Sequence, residues 1–391
     1  MVTGGVYLHI PFCEKKCIYC DFCSYAGLEA LHGPYVNALL QQIEQAGAQA
    51  SPVTYDTLFV GGGTPTVLAP EQLTALIAAC RTGLGLPEGA EATVEANPGT
   101  VTRASLDALR RAGYNRLSLG VQSLQDDELT LLGRIHDARQ AQEAVAAARA
   151  VGLANVSLDL MYSLPQQTLA RWQATLEQAL ALAPEHLSLY ALTVEERTPL
   201  AQQIALGALP TPDDDLAADM YEWAQERLAA GGYVQYEISN WARRSPEDRP
   251  GQPPALACRH NLHYWRNDPY LGLGVAAHGH DGQRRYAHID DPEEYVRRVA
   301  AGESTLESSE EIGRDQAMDE TMIMGLRLAQ GVTRKRFRGR FGVEMQDMYA
   351  EALDALADTG LLDVDARGIR LTPRAYLLGN RVFAEFMRAG S

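Results

Sequence analysis

VYLHIPFCEKKCIYC, residues 6–20, is the stretch that decides how the rest of the chain is read. Its first half is a short apolar strand, Val6–His9, and its second half spaces Cys13, Cys17 and Cys20 as C-x3-C-x2-C. Three thiolates on one compact loop can each take one iron of a [4Fe–4S] cubane and leave the fourth iron open to an exchangeable ligand. The blander alternatives are a buried cysteine-rich turn and a zinc knuckle one ligand short. The position behind a first strand, with a glycine turn behind the second, favours the cluster. Four of the six cysteines fall within residues 13–23, with Cys80 and Cys258 far away. In a chain expected to be cytosolic, such crowding reads as a metal site rather than a disulfide framework.

Outward from this loop, short apolar runs alternate with amphipathic segments over the first 240 residues. The runs Val6–His9, Thr57–Val60, Thr93–Glu95, Arg116–Gly120, Val156–Leu160 and His186–Leu192 predict strands. Segments rich in Ala, Leu and Gln at 34–49, 70–82, 102–112, 138–151 and 168–182 predict helices between them. Alternation at this spacing means βαβ units on a parallel sheet, curved into an incomplete (β/α) barrel, with reactive groups at the C-terminal ends of the strands. The stretch 242–257, ARRSPEDRPGQPPALA, has four prolines and no period, and reads as a loop. From about residue 305 the pattern is helical and ends in LLDVDARGIRLTPRAYLLGN, the order of a wing (two short strands about a turn at 366–368) and a helix. The expected organisation is α/β: a partial barrel over 1–245, a linker and aromatic segment over 246–304, and a smaller α+β, winged-helix-like domain over 305–391.

Of the 391 residues, 46% are hydrophobic and 21% charged, which is ordinary globular composition. Thirty-four Lys and Arg against fifty Asp and Glu leave a net charge of −16, which opposes nucleic acid as the main partner. No apolar run is long enough to span a bilayer and the N-terminus lacks the features of a signal peptide, so a cytoplasmic location is expected. The run RKRFRGR at 334–340 reads as a solvated helix end, with peripheral membrane or anionic-partner contact as the lesser alternative. Met318, Met322 and Met324 read as core on one helix, and His9 as a packed strand residue near the cluster.

Further motifs fall where strands end. Gly61-Gly62-Gly63-Thr64-Pro65 follows the second strand, and glycines there let backbone groups approach a ligand closely. Glu95 ends the third strand, Gln122 follows the fourth, Asp159 lies in the fifth, and Arg134 follows in LLGRIHD. A carboxylate within an apolar strand is costly unless paired. Each of these could cap its own loop, but their joint position at one mouth suggests ribose and amino-group recognition.

Together YLHIPFCEKKCIYCDF, GGGTPT, the Glu95 strand, GVQS, LDLMYSLPQQT and HNLHYW resemble the coproporphyrinogen-oxidase-like branch of the radical-SAM superfamily, over roughly residues 6–385. Within that branch the chain is most similar to the HemW-type haem chaperones. The resemblance implies that the open iron binds S-adenosylmethionine, with the glycine turn at its amino group. By position it assigns nucleotide contacts to Tyr7, Tyr19, Gly62, Gly63, Thr64, Glu95, Gln122, Arg134, Asp159 and Ala191, and less firmly to His278. It also implies haem-accepting protein partners and an electron donor for the cluster. It leaves open monomer against homodimer.

Two departures separate the chain from the anaerobic oxidases of the branch, which carry a fourth cysteine one residue after the third and a long N-terminal extension. Here the next cysteine is Cys23, read as a spare thiol, and only twelve residues precede Cys13. Conversely His260-Asn261-Leu-His-Tyr264-Trp265 matches the HNxxYW motif that marks the chaperones. Imidazole suits haem iron and aromatic rings suit a porphyrin face, so His260 is the expected iron ligand and His263 a spare. Arg259 and Arg266 are candidates for the propionates. The rival reading is an enzyme of the coproporphyrinogen oxidase or methyltransferase type that generates a 5′-deoxyadenosyl radical; a third possibility combines the two.

Overall fold

In the computed structural model, residues 2–49 and 52–387 are described. The apolar runs form strands Val2–Ile10 (β1), Val53–Gly62 (β2), Glu91–Ala96 (β3), Arg116–Gln122 (β4), Asn155–Tyr162 (β5) and His186–Ala191 (β6). They pair parallel, each with the next in the chain. Helices His32–Gly47, Pro70–Gly83, Arg103–Ala112, Ala138–Ala150 and Leu169–Ala181 connect them. Local chemistry sets the helix ends: the side chains of Thr102, Asp137 and Thr168 accept from the backbone N–H of Ser105, Gln140 and Arg171. Val6, Leu8, Ile10, Val60, Leu117 and Leu158 are fully buried in the main core, as expected of parallel strands covered by helices.

The same sheet continues at both ends. Tyr233–Glu237 (β7) and Asn240–Arg243 (β8) add antiparallel to β6. Tyr270–Leu273 (β9) pairs parallel with the outer side of β1, followed by His278–His280 (β10), Arg284–His288 (β11) and Leu306–Glu311 (β12). The twelve strands run from β12 to β7 without closing, which is an incomplete barrel with extensions. The segment 246–304, expected as a linker and aromatic segment, also contributes three strands to the sheet, and β12 carries that sheet past residue 305. These strands escaped the sequence reading because they are short, and because all six residues of β12, LESSEE, are exposed and show no apolar period. At the opposite end the outer side of β7 is bridged by Leu328.

The C-terminal unit packs helices Arg314–Gly325, Arg334–Phe341 and Met345–Asp358 with a sheet of Val332–Thr333 (β13), Leu362–Val364 (β14) and Gly368–Leu371 (β15). The wing about 366–368 is present, with β13 as an additional strand. Met318 and Met322 lie in this unit's core with Phe337 and Met345. Met324 does not, because two residues along a helix turn it to another face; it is half-buried and lines a cavity. Nor is the basic run simply solvated. Phe337 is fully buried, Arg336 pairs with Asp268, and Arg340 donates to the Asn267 carbonyl at 2.6 Å.

Candidate functional site

The cysteine loop leaves β1 at Pro11 and returns through the Phe12–Tyr25 bridge, with Cys13 N–H donating to the Tyr25 carbonyl at 2.9 Å. The glycine end of β2 is stitched to its base: Gly63 N–H donates to the Ile10 carbonyl at 2.8 Å and Thr64 N–H to the Phe12 carbonyl at 2.7 Å. A Cβ on Gly63 would stand 2.6 Å from the Phe12 carbonyl oxygen and 3.1 Å from Cys13 Sγ. At Gly62, φ is +111° and a Cβ would stand 2.5 Å from the His9 ring, so two independent constraints require glycine.

Cys13, Cys17 and Cys20 are partly exposed free thiols. Thr64 Oγ1 lies 3.6 Å from Cys13 Sγ, and Arg134 donates to Cys17 Sγ at 3.4 Å. Arg134 Nε is buried with no protein partner, an orphan donor beside the loop. Cys23 instead turns its thiol to the Asp290 carbonyl at 3.5 Å and to Tyr25 Oη at 3.7 Å. Among the described residues no three His, Cys, Asp or Glu side chains are grouped to hold a single metal ion. A cubane differs from such a site, since each thiolate takes its own iron.

The strand ends supply a polar row beside this loop. Glu95 Oε2 accepts the Gly62 N–H at 3.1 Å. Burial, and then the neighbouring Asp159, pushes the Glu95 carboxyl up to about 7. Burial raises Asp159 too, although Ser118 donates to it at 3.0 Å. Gln122 sits at φ +65° beyond a β4 bulge, and Arg134 anchors on the Gly120 carbonyl just before it. Ala191 is exposed at the end of β6, and Tyr19 packs among Leu132, Met161 and Leu164. Glycine backbone, two carboxylates, an amide and a guanidinium thus gather by the cysteine loop. The close backbone cradle and the orphan Arg134 donor fit a cluster with a polar cationic nucleotide.

HNLHYW forms the helix Arg259–Trp265, whose preceding residue Cys258 provides no side-chain cap. Glu91, at the start of β3, does so instead, accepting from the N–H groups of Arg259 and His260 at 3.0 Å each and from Cys258 Sγ at 3.6 Å. His260 is 1% exposed. Its Nδ1 lies 2.8 Å from Thr57 Oγ1 and its Nε2 2.9 Å from Tyr264 Oη, while the ring stacks on Phe59. Burial, first among its surroundings, drives it down to about 3, so it is neutral. Both ring nitrogens are thus engaged by neighbouring side chains in this structure. The glycine at position 5 creates the slot: a Cβ there would lie 2.7 Å from the imidazole.

His263 is equally occupied, 2.7 Å from Asp56 and 3.3 Å from Asp268. Burial opposes its charge, but the bonds to Asp268 and Asp56 prevail and raise it to about 9. Asn261 lies near the Tyr236 hydroxyl. Tyr264 and Trp265, by contrast, wall a cavity of about 540 Å³, together with Tyr7 and His9 of β1, Tyr270, His278 and His280. Glu320, Ile323 and Met324 of the C-terminal unit form another wall. Trp265 Nε1 is buried there without a partner. Arg259, paired with Asp56 at 2.7 Å, and Arg266 are not among the cavity walls. The basic group that lines it is Arg285, held by Glu320 at 2.8 Å. Sequence reasoning missed Arg285, His280, Tyr270 and Met324. For the first three the signal available was the tract from Tyr270 to Tyr286, which carries two His, two Tyr and two Arg.

The chain is similar to known proteins over most of its length. A family model described as the Radical SAM superfamily matches residues 7–179, and one described as the HemN C-terminal domain matches 312–378. The heme chaperone HemW of Bacillus subtilis (strain 168) is 37% identical over 384 residues, covering 98% of this chain and 99% of the relative. The heme chaperone HemW of Escherichia coli (strain K12) is 36% identical over 391 residues, covering 98% of each. Among solved structures, coproporphyrinogen III oxidase (HemN) from Escherichia coli, a radical SAM enzyme, superposes with a TM-score of 0.82 at 26% identity, covering 98% of this chain and 90% of that one.

Proposed function

The chain belongs to the HemW family within the radical SAM superfamily, and from that premise we propose that it is a haem chaperone that passes haem to acceptor proteins. The observation that carries this reading is the 540 Å³ cavity walled by Tyr264 and Trp265, which falls in the size range of small-molecule sites. Cys13, Cys17 and Cys20 hold a [4Fe–4S] cluster. The Gly62–Thr64 turn, Glu95, Gln122, Arg134, Asp159 and Ala191 hold S-adenosylmethionine, with Tyr7 and Tyr19 packed alongside. Bound there, the cluster would supply an electron to the sulfonium of the nucleotide. Within the protein, Arg134 supports the Cys17 thiolate, and the Tyr7–His9 pair, 3.0 Å apart, forms a wall shared with the haem cavity.

That shared wall also favours a second reading, in which a radical formed at the nucleotide acts on a substrate in the cavity. Haem titration of the reconstituted protein, run beside assays for 5′-deoxyadenosine and for conversion of coproporphyrinogen, separates the two. The expected result is a Soret band and no decarboxylation of coproporphyrinogen. Robust decarboxylation without haem binding would replace the chaperone reading with the enzyme. No helix among the described residues is long and apolar enough to cross a membrane. The proposed location is the cytoplasm, with a reductant for the cluster as a further partner.

Glu95 makes nucleotide binding pH-dependent. Its carboxyl, pushed up to about 7, must lose a proton to pair with a cationic nucleotide, so binding strengthens as pH rises toward 7 and levels off above it. Below that point the affinity for S-adenosylmethionine falls by up to about tenfold per pH unit, the limit for one linked proton. Glu95→Gln binds more weakly in alkaline buffer and shows a flat profile. Calorimetry giving the wild type an equally flat profile across neutrality would remove Glu95 from the site.

A further inference from the structure

Five residues, Leu132 to His136, join the helix Asp126–Leu131 to the residue that caps the helix Ala138–Ala150. They hold three parts of the nucleotide site at once. The Leu132 carbonyl accepts the Ile18 N–H of the cysteine loop at 3.3 Å. Arg134 donates to Cys17 Sγ at 3.4 Å and to the Gly120 carbonyl near the end of β4. His136 takes the next carbonyl along, its Nε2 lying 3.2 Å from the Val121 oxygen. Its Nδ1 lies 3.0 Å from Asn97 Oδ1, just past the end of β3. Alternate residues of one short strap thus reach the cysteine loop, β4 and β3 in turn.

The groups that His136 ties together stand beside ligand-facing ones. Asn97 follows Glu95 by two residues, and its side-chain oxygen also accepts the Gly99 N–H at 3.0 Å. Val121 precedes Gln122, whose φ of +65° is a left-handed conformation that is costly outside glycine. A hold on the carbonyl just before it helps to keep that conformation. A Cβ on Gly120 would stand 3.0 Å from Gln122 Nε2 and 3.3 Å from the Arg134 guanidinium, so amide and guanidinium close over this glycine. His136 is 4% exposed, too buried to meet a ligand itself. Burial first, and then the charge of Arg134, lowers it to about 4. The ring is therefore neutral, with one N–H to share between two acceptor oxygens.

We propose that His136 is a positioning residue of the nucleotide site, the pin that locks β3 to β4 and keeps Glu95 and Gln122 in register with Arg134; this rests on the nucleotide reading above. It acts through the two strand ends and not on the ligand. Its loss frees Gln122 to leave the left-handed conformation and lets the turn after Glu95 shift. Two polar contacts to the nucleotide then loosen, while the three cysteines stay as they are. Binding groups held from behind in this way keep their geometry to within about half an ångström, and lose it when the support goes.

The test compares variants of the full chain, with the cluster reconstituted, by calorimetric titration with S-adenosylmethionine. His136→Phe keeps a ring of similar size and offers no hydrogen bond. It orphans neither oxygen, because the Ser123 N–H still reaches the Val121 carbonyl at 2.8 Å and the Gly99 N–H still reaches Asn97. The variant is therefore expected to fold and keep its iron, with affinity for the nucleotide reduced by about tenfold, the scale of one hydrogen bond lost. His136→Gln, whose amide carries two N–H groups, is expected to recover most of that loss. His136→Asn, whose amide is one methylene too short to serve both oxygens, is expected to bind more weakly than His136→Gln. A wild-type chain with a full cluster that binds no S-adenosylmethionine would defeat the nucleotide reading itself. Wild-type binding with unchanged affinity in His136→Phe would overturn the role of His136 alone. Equal affinities in His136→Gln and His136→Asn would overturn it too, and that comparison stands even if the phenylalanine variant loses its iron.

Discussion

Alanine in place of Cys13, Cys17 or Cys20 abolishes the visible absorption of the anaerobically reconstituted cluster, while Cys23→Ala retains about four irons per chain, as a three-thiolate cubane requires. The contrast follows from where the four thiols point. Cys13 and Cys17 are flanked by Thr64 and Arg134, the residues that join the loop to the strand ends. Cys23 lies beyond the Phe22 carbonyl tethered by Lys16 and faces Tyr25 and the Asp290 carbonyl. Removing one ligand of three leaves a second iron without protein ligation, so the effect is close to all-or-none. Iron and sulfide content of the four variants checks it. Loss of the cluster in Cys23→Ala alone would reverse the ligand assignment.

Replacement of Glu91 by alanine is expected to destabilise the protein by about 3–5 kcal/mol, the range seen when one partner of a buried charged network is removed. Glu91 is 8% exposed and receives three donors from residues 258–260. It also balances the charge of Arg116, itself 2% exposed and already lacking a partner for Nε. Alanine leaves the start of the Arg259–Trp265 helix uncapped and weakens the compensation of a buried guanidinium. The same loss should loosen Tyr264 and Trp265, so haem retention falls with stability. Glu91→Gln keeps one acceptor oxygen and should recover part of both. Denaturant unfolding measures the effect, and an alanine variant within about 1 kcal/mol of wild type, the scale of an ordinary substitution, would refute the role assigned to Glu91.

These residues illustrate what could be read before the structure. β1 to β6 were legible because each is an apolar run between helical segments, and the cysteine loop because its residue types are rare and closely spaced. β9 to β12 were not: β9 gains its place by pairing with β1 across more than half the chain, an association that no local period records, and β10 to β12 are added outward from it. The HNxxYW motif was found, but the residues that surround its histidine were not. Whether an imidazole meets a cavity or a threonine depends on Thr57 and Phe59, which lie about 200 residues earlier in the sequence. Its aromatic residues were placed better, since large rings beside a cavity wall it whichever way the helix is rotated by a few degrees.

The exposed strand β12 has a consequence for how copies of the protein behave in a crowded solution. Its free edge offers backbone donors and acceptors on which another strand could be templated, the usual start of edge-to-edge aggregation. Glu307, Glu310 and Glu311 stand along it, all exposed. A second copy arriving edge-on would bring its own acidic row against the first, and like charges directly across a strand pair repel. That protection is electrostatic, so it weakens with added salt and with acidification below the carboxylate range. Turbidity of concentrated protein should therefore rise first in acidic, high-salt buffer, and replacing the three glutamates by glutamine should bring the same onset to neutral pH.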